Sequence, residues 1–90
     1  MAGTSFALDV KPLFKPGDIR CMSGQGVLLA DYAYMSDPGP DATYADHANA
    51  RHVYARLSGA EGPRMPMGGP YWSDAMVNTF ASWMGGGFLA

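Results

Sequence analysis

Glycine and proline break this chain so often, 12 Gly and 7 Pro in 90 residues, that it has room for only a few regular elements joined by long connections. From Asp9, "DVKPLF" is expected to open a short helix, with Asp9 as N-cap and Pro12 in the first turn, where a missing N–H has no partner to lose. Pro16 and Gly17 then interrupt or re-aim the chain before "DIRCM", where Asp18 could cap a second turn. "VLLADYAYM" suits a short helix or an extended loop equally. Ala50, Val53, Tyr54 and Leu57 recur at i, i+3, i+4 and i+7, so a helix is read over 42–58, with Gly59 as its left-handed C-cap. Ser73 caps a last helix whose face is Val77, Phe80, Ala81 and Met84, bordered by Trp83, until "GGG" stops it at 85–87. No period-two pattern competes, which makes the expected fold an all-α bundle of roughly three to four helices with long Gly/Pro-rich loops, one domain spanning 1–90.

Leu, Ile, Val and Phe supply only 15 of the 90 residues, below the roughly 20% at which disorder becomes a concern. The low net charge of −2, together with seven Met, five Tyr and two Trp, points instead to an ordered core of aromatic and thioether groups. Six scattered Lys and Arg form no basic stripe, which argues against nucleic-acid binding. No apolar run approaches the roughly 20 residues that span a bilayer. The start, "MAGTSFALDVKPLF", has neither a basic n-region nor a continuous apolar run, and the single cysteine can make no internal disulfide; a cytoplasmic location is the expectation.

Few residues carry chemistry. Cys21 has only Arg20 beside it to favour a thiolate, and is expected to behave as a small buried hydrophobe, as is Met22 beside it. His47 and His52, five apart on the expected helix, lie about 140° from one another and are poorly placed to share a metal; no metal site is expected. His47 falls with Ala50, Tyr54 and Leu57 on the inward stripe, where an imidazole could act as acid or base. Asp41 and Asp46 are read as a solvated helix edge.

The order of elements resembles the small class I cytochrome c domains: a leading helix that ends in a haem-attachment turn, a middle helix, a methionine loop and a C-terminal helix with an aromatic. In those domains a large apolar residue, three residues and then CxxCH follow one another. Here Phe14 is followed by "KPG" and "DIRCM", which puts Asp18 at the first cysteine, Cys21 at the second and Met22 at the histidine. "RMP" resembles the loop that supplies the sixth haem ligand, with Met65 at the ligand, and "YWSDAMVNTFASWMGGGF" resembles the closing helix. An aspartate forms no thioether and a thioether is a weak substitute for imidazole, so the usual c-type centre is excluded by residue type. The chain is more similar to haem-free bacterial relatives with an FxxxDxxxM turn, and no cofactor is expected.

That resemblance implies a vacated haem volume, filled by methionines and by Tyr32, Tyr34, Tyr44, Tyr54, Tyr71, Trp72 and Trp83, or left as an apolar pocket. The candidate pocket residues are Phe14, Cys21, Met22, Met65, Met67, Trp72 and Trp83. The leading expectation is a non-catalytic binding or assembly domain that acts with a partner protein or as a homodimer, with room for a small apolar ligand. The alternative is a small cofactor-independent isomerase, cyclase or lyase in which His47 transfers protons and Tyr54 or Tyr44 orients the substrate.

Overall fold

The computed structural model describes residues 3–62, 64–65 and 70–90. The chain is helical, and among the described residues the only strand-like pairing is a single parallel bridge between Ser5 and Leu89.

The first helical segment begins earlier than its sequence suggests, because Ser5 and not Asp9 is the cap. Ser5 Oγ accepts from the Leu8 N–H at 3.1 Å, while the Ser5 N–H donates to Asp9 Oδ2 at 2.8 Å. Ser5 thus caps the Leu8 amide while Asp9 satisfies the Ser5 amide, an arrangement close to a capping box. Phe6–Val10 is wound as a π-helical turn, with the Val10 N–H bonded to the Ser5 carbonyl, and tightens to a 3₁₀ turn over Lys11–Leu13. Pro12 explains the change: it has no N–H with which to continue the ladder.

Helix α1 spans Pro16–Ser23. Pro16 starts this helix instead of interrupting it, since its fixed φ and absent N–H suit the first helical position. Asp18 is no cap but lies in the first turn, where the helix dipole favours a carboxylate. Beyond α1 the Val27 N–H closes on the Met22 carbonyl at 2.9 Å around Gly26, which has φ +80°.

Helix α2 is a single turn, Tyr32–Met35, capped by Asp31 through the Ala33 N–H. Helix α3, Ala48–Ser58, is shorter than the 42–58 span that its periodicity suggests. Carbonyls from the preceding loop intervene: the His47 N–H donates to Pro38 O at 3.2 Å and the Ala48 N–H to Gly39 O at 3.1 Å. His47 itself is left-handed at φ +46°, which ends any helix upstream of it. Three of the four residues of the expected inward face, Ala50, Val53 and Leu57, are buried, whereas Tyr54 is half-buried and Ala55 is buried in addition; Gly59 closes the helix at φ +87°.

Helix α4, Asp74–Gly85, is capped by Ser73 Oγ on the Met76 N–H. Its buried centre is Phe80 and Trp83, whereas Val77, Ala81 and Met84 are half-buried, so the face is turned toward Trp83. The reason lies outside the helix. Phe6, Phe80 and Phe88 stand around the Trp83 ring at centroid distances of 5.4, 5.4 and 5.1 Å, and its Nε1–H donates to the Leu89 carbonyl at 2.8 Å.

Phenylalanine and tryptophan, more than tyrosine, fill the interior. Ring contacts run from Phe14 to Trp72, Phe80, Trp83 and Phe6. Tyr71 is exposed beneath the Arg64 guanidinium, and Tyr32 lies at the edge with its hydroxyl on the Phe88 carbonyl at 2.6 Å. No helix among the described residues is long and apolar enough to cross a membrane.

Candidate functional site

One stripe of α1 opens onto a cleft of about 230 Å³. Asp18, Cys21 and Met22 share this stripe because they stand at i, i+3 and i+4. Phe14 and Trp72 form an aromatic wall, with ring centroids 5.0 Å apart and planes tilted by 44°. Met22, Leu29, Leu57 and Met65 form a buried apolar floor. Met65 is held there by its N–H, which donates to the Arg56 carbonyl of α3 at 3.0 Å. Gly17, Asp18 and Cys21 complete the lining at the mouth.

Five of the seven pocket candidates, Phe14, Cys21, Met22, Met65 and Trp72, thus come together. Cys21 is exposed, not inward-pointing filler, because the α1 stripe reaches the mouth of the cleft at that residue while Met22 turns beneath it. Trp83 is wholly buried in the core and absent from this lining, since the Leu89 carbonyl and three phenylalanine rings hold it elsewhere. Met67 lies outside the described residues.

The two candidate catalytic residues do not join the cleft. His47, displaced from the helix by its left-handed backbone, stacks flat on Phe88, with ring centroids 3.8 Å apart and planes 3° from parallel. Tyr54 stacks on Phe80 at 6.0 Å across the α3–α4 contact, beside Tyr44 and Met84.

A second cluster went unread in the sequence. His52 Nδ1 meets the Glu61 carboxylate at 2.8 Å and Nε2 meets Asp41 Oδ2 at 2.5 Å. Asp41 is not on a helix edge: its Oδ1 accepts the Thr43 and Tyr44 N–H groups, each at 2.8 Å, leaving Oδ2 for the imidazole. Asp46 pairs with Arg51 at 2.9 Å. The three residues of the His52 cluster are 11 and 9 positions apart, a spacing with no helical or strand period. The only local clue was the turn-forming character of "DAT". Both ring nitrogens of His52 are committed to carboxylates, and among the described residues no group of three or more His, Cys, Asp and Glu is arranged to hold a metal ion.

Hydrogen bonds from Glu61 and then Asp41 raise the His52 pKa above its ordinary value, and backbone N–H bonding led by Tyr44, with help from His52, lowers that of Asp41. A raised imidazole stabilises the fold fully below its unfolded pKa of about 6.5, and that contribution is lost as pH rises through the folded value. The depressed Asp41 contributes above about 3.9 and is lost as pH falls through its own folded value. The cluster is therefore strongest between about pH 4 and 6.5. We expect the melting temperature to fall from pH 6 to pH 8, and His52→Gln to flatten that slope. Parallel curves for the two proteins in differential scanning fluorimetry would contradict the arrangement.

No protein-family profile, curated protein or solved structure matches this chain.

Proposed function

We propose that this chain is a haem-free, cytochrome c-like helical domain that works by binding, taking a ring-sized apolar group of a partner protein into the cleft between Phe14, Met22, Met65 and Trp72. The observation that carries this reading is the lining itself: two aromatic rings and two thioethers face one opening of about 230 Å³. A cavity of about 150 Å³ holds benzene, so the space suits a single substituted ring. Thioethers adapt their shape to an incoming group, and an aromatic wall buries a large area against it.

The resemblance to cytochrome c raises the question of haem, and the residues do not fit a covalently attached one. Asp18 and Cys21 offer one thiol where two are needed. No imidazole is among the described lining residues, since His47 and His52 are engaged elsewhere. The same fact leaves a catalytic role for His47 and Tyr54 in this cleft without geometric support.

Ring-sized probes such as indole and p-cresol test the proposal by NMR titration. Saturable shifts are expected at the Met22 and Met65 methyls and the Trp72 indole. In Gly17→Leu those shifts should weaken at least about tenfold, because the added side chain enters at the mouth, where a Cβ on Gly17 meets nothing within 4 Å. Unmoved signals in the parent protein would sink the reading. Sedimentation of the parent and Gly17→Leu then separates a foreign partner from a second copy: only a homodimer through this cleft would dissociate on filling it.

A further inference from the structure

Asp18 is the only acidic or basic side chain among the described residues that line the apolar cleft. It shares the stripe of α1 with Cys21 and Met22, which line the same opening, and it is half-buried although Lys15, Pro16 and Gly17 before it are exposed. The covered side of Asp18 is thus the cleft side. An acid in the first turn of a helix can fold back onto the free amides there, but no side chain caps the start of α1. The ion pairs of the described residues belong to Asp41, Asp46 and Glu61. Lys15 and Arg20 are exposed and outside the lining, and Arg64, next to Met65, lies over the Tyr71 ring at 4.3 Å. Among the described residues, the Asp18 carboxylate therefore has no cation of its own.

The aromatic wall adds to the same preference. Ring faces such as those of Phe14 and Trp72 carry the negative part of the quadrupole and attract a cation within about 6 Å of a centroid. A carboxylate and two aromatic rings around a space sized for one ring favour a guest that carries a ring and a positive charge together. At the mouth, a Cβ on Gly17 meets nothing within 4 Å, so a peptide chain bearing that ring has open ground by which to leave.

We propose that the ring taken into the cleft belongs to a partner-protein segment in which an aromatic residue stands next to a lysine or arginine. The ring packs against Phe14 and Trp72 above the thioethers of Met22 and Met65, and the neighbouring cation stays at the mouth beside Asp18. This inference rests on the binding role proposed above for the cleft and adds the charge of its partner. An acidic segment is disfavoured by the same carboxylate. Because Asp18 stays in contact with water, the ion pair adds little to affinity and acts mainly as selectivity.

The test is an NMR titration of the full chain with three capped dipeptides, N-acetyl-Phe-Lys-amide, N-acetyl-Phe-norleucine-amide and N-acetyl-Phe-Glu-amide, followed at the Met22 and Met65 methyls and the Trp72 indole. The lysine peptide should bind about three- to fivefold more tightly than the norleucine peptide, the range of an exposed ion pair, and the glutamate peptide should bind most weakly. Added salt should shrink that ratio, and Asp18→Asn should bring it to about one. Should the variant fail to fold, the salt dependence and the order of the three peptides in the parent protein decide the matter. Equal affinities for the three peptides, or a lysine preference that survives in Asp18→Asn, would overturn the assigned charge and leave the cleft a plain ring site. If indole, p-cresol and every peptide leave the signals unmoved, the binding role itself falls and this inference with it. Phenethylamine bound as tightly as the lysine peptide would overturn the protein segment in favour of a free amine.

Discussion

Trp83→Ala is expected to lower the stability of this protein by about 3–5 kcal/mol, the range for truncating a fully buried aromatic side chain. The indole is inaccessible to solvent, three phenylalanine rings lie within 5.4 Å of it by centroid, and its N–H supplies the Leu89 carbonyl. A small domain has about 5–15 kcal/mol in total, so the variant gives up a large fraction of its stability and should unfold at a markedly lower denaturant concentration. Trp83→Phe separates the two contributions: it keeps much of the buried area, leaves the Leu89 carbonyl with the Phe6 N–H as its remaining donor, and should cost about 1–2 kcal/mol. Urea unfolding followed by circular dichroism measures both. A loss under about 1 kcal/mol for the alanine variant would mean that Trp83 is not at the centre of the core.

Phe88 gives the second large effect, and its sign pattern is more diagnostic than its size. The residue is buried between His47 and Trp83 yet has φ +58°, in the left-handed region. That backbone costs an L-residue about 1–2 kcal/mol, and burial of the ring outweighs it. Phe88→Ala keeps the backbone cost and loses the ring, for an expected loss of about 3 kcal/mol. Phe88→Gly loses the ring but relieves the backbone, and should be the milder change by about 1 kcal/mol. Alanine matching or exceeding glycine in the same urea experiment would contradict the left-handed geometry.

These residues also mark the limits of what the sequence disclosed. Periodicity located the inward face of α3 and the extent of α4, because both are set by local spacing and by caps one turn away. It misjudged the start of α3, because carbonyls of Pro38 and Gly39 satisfy the first amides there and no periodic signal encodes a contact from a loop. Phe88 follows three glycines and belongs to no pattern, yet it closes the core. The cleft was legible in part: Phe14, Cys21, Met22, Met65 and Trp72 were singled out by likeness to a known arrangement. The exposure of Cys21 follows from where the stripe of α1 meets solvent, and the His52 cluster joins three separate segments, so neither could be read along the chain.

The pairing of Ser5 and Phe6 with Leu89, described above as a single bridge, constrains the order of events on the ribosome. The Phe6–Val10 turn is made well before its ring partner Trp83 and its backbone partner Leu89. At about 5–20 residues per second, Phe6 and Val10 wait roughly 4–16 s before they can be covered. Nascent chains stalled short of Phe88 should therefore keep these two apolar side chains in the open, a substrate for chaperones that the finished fold no longer presents.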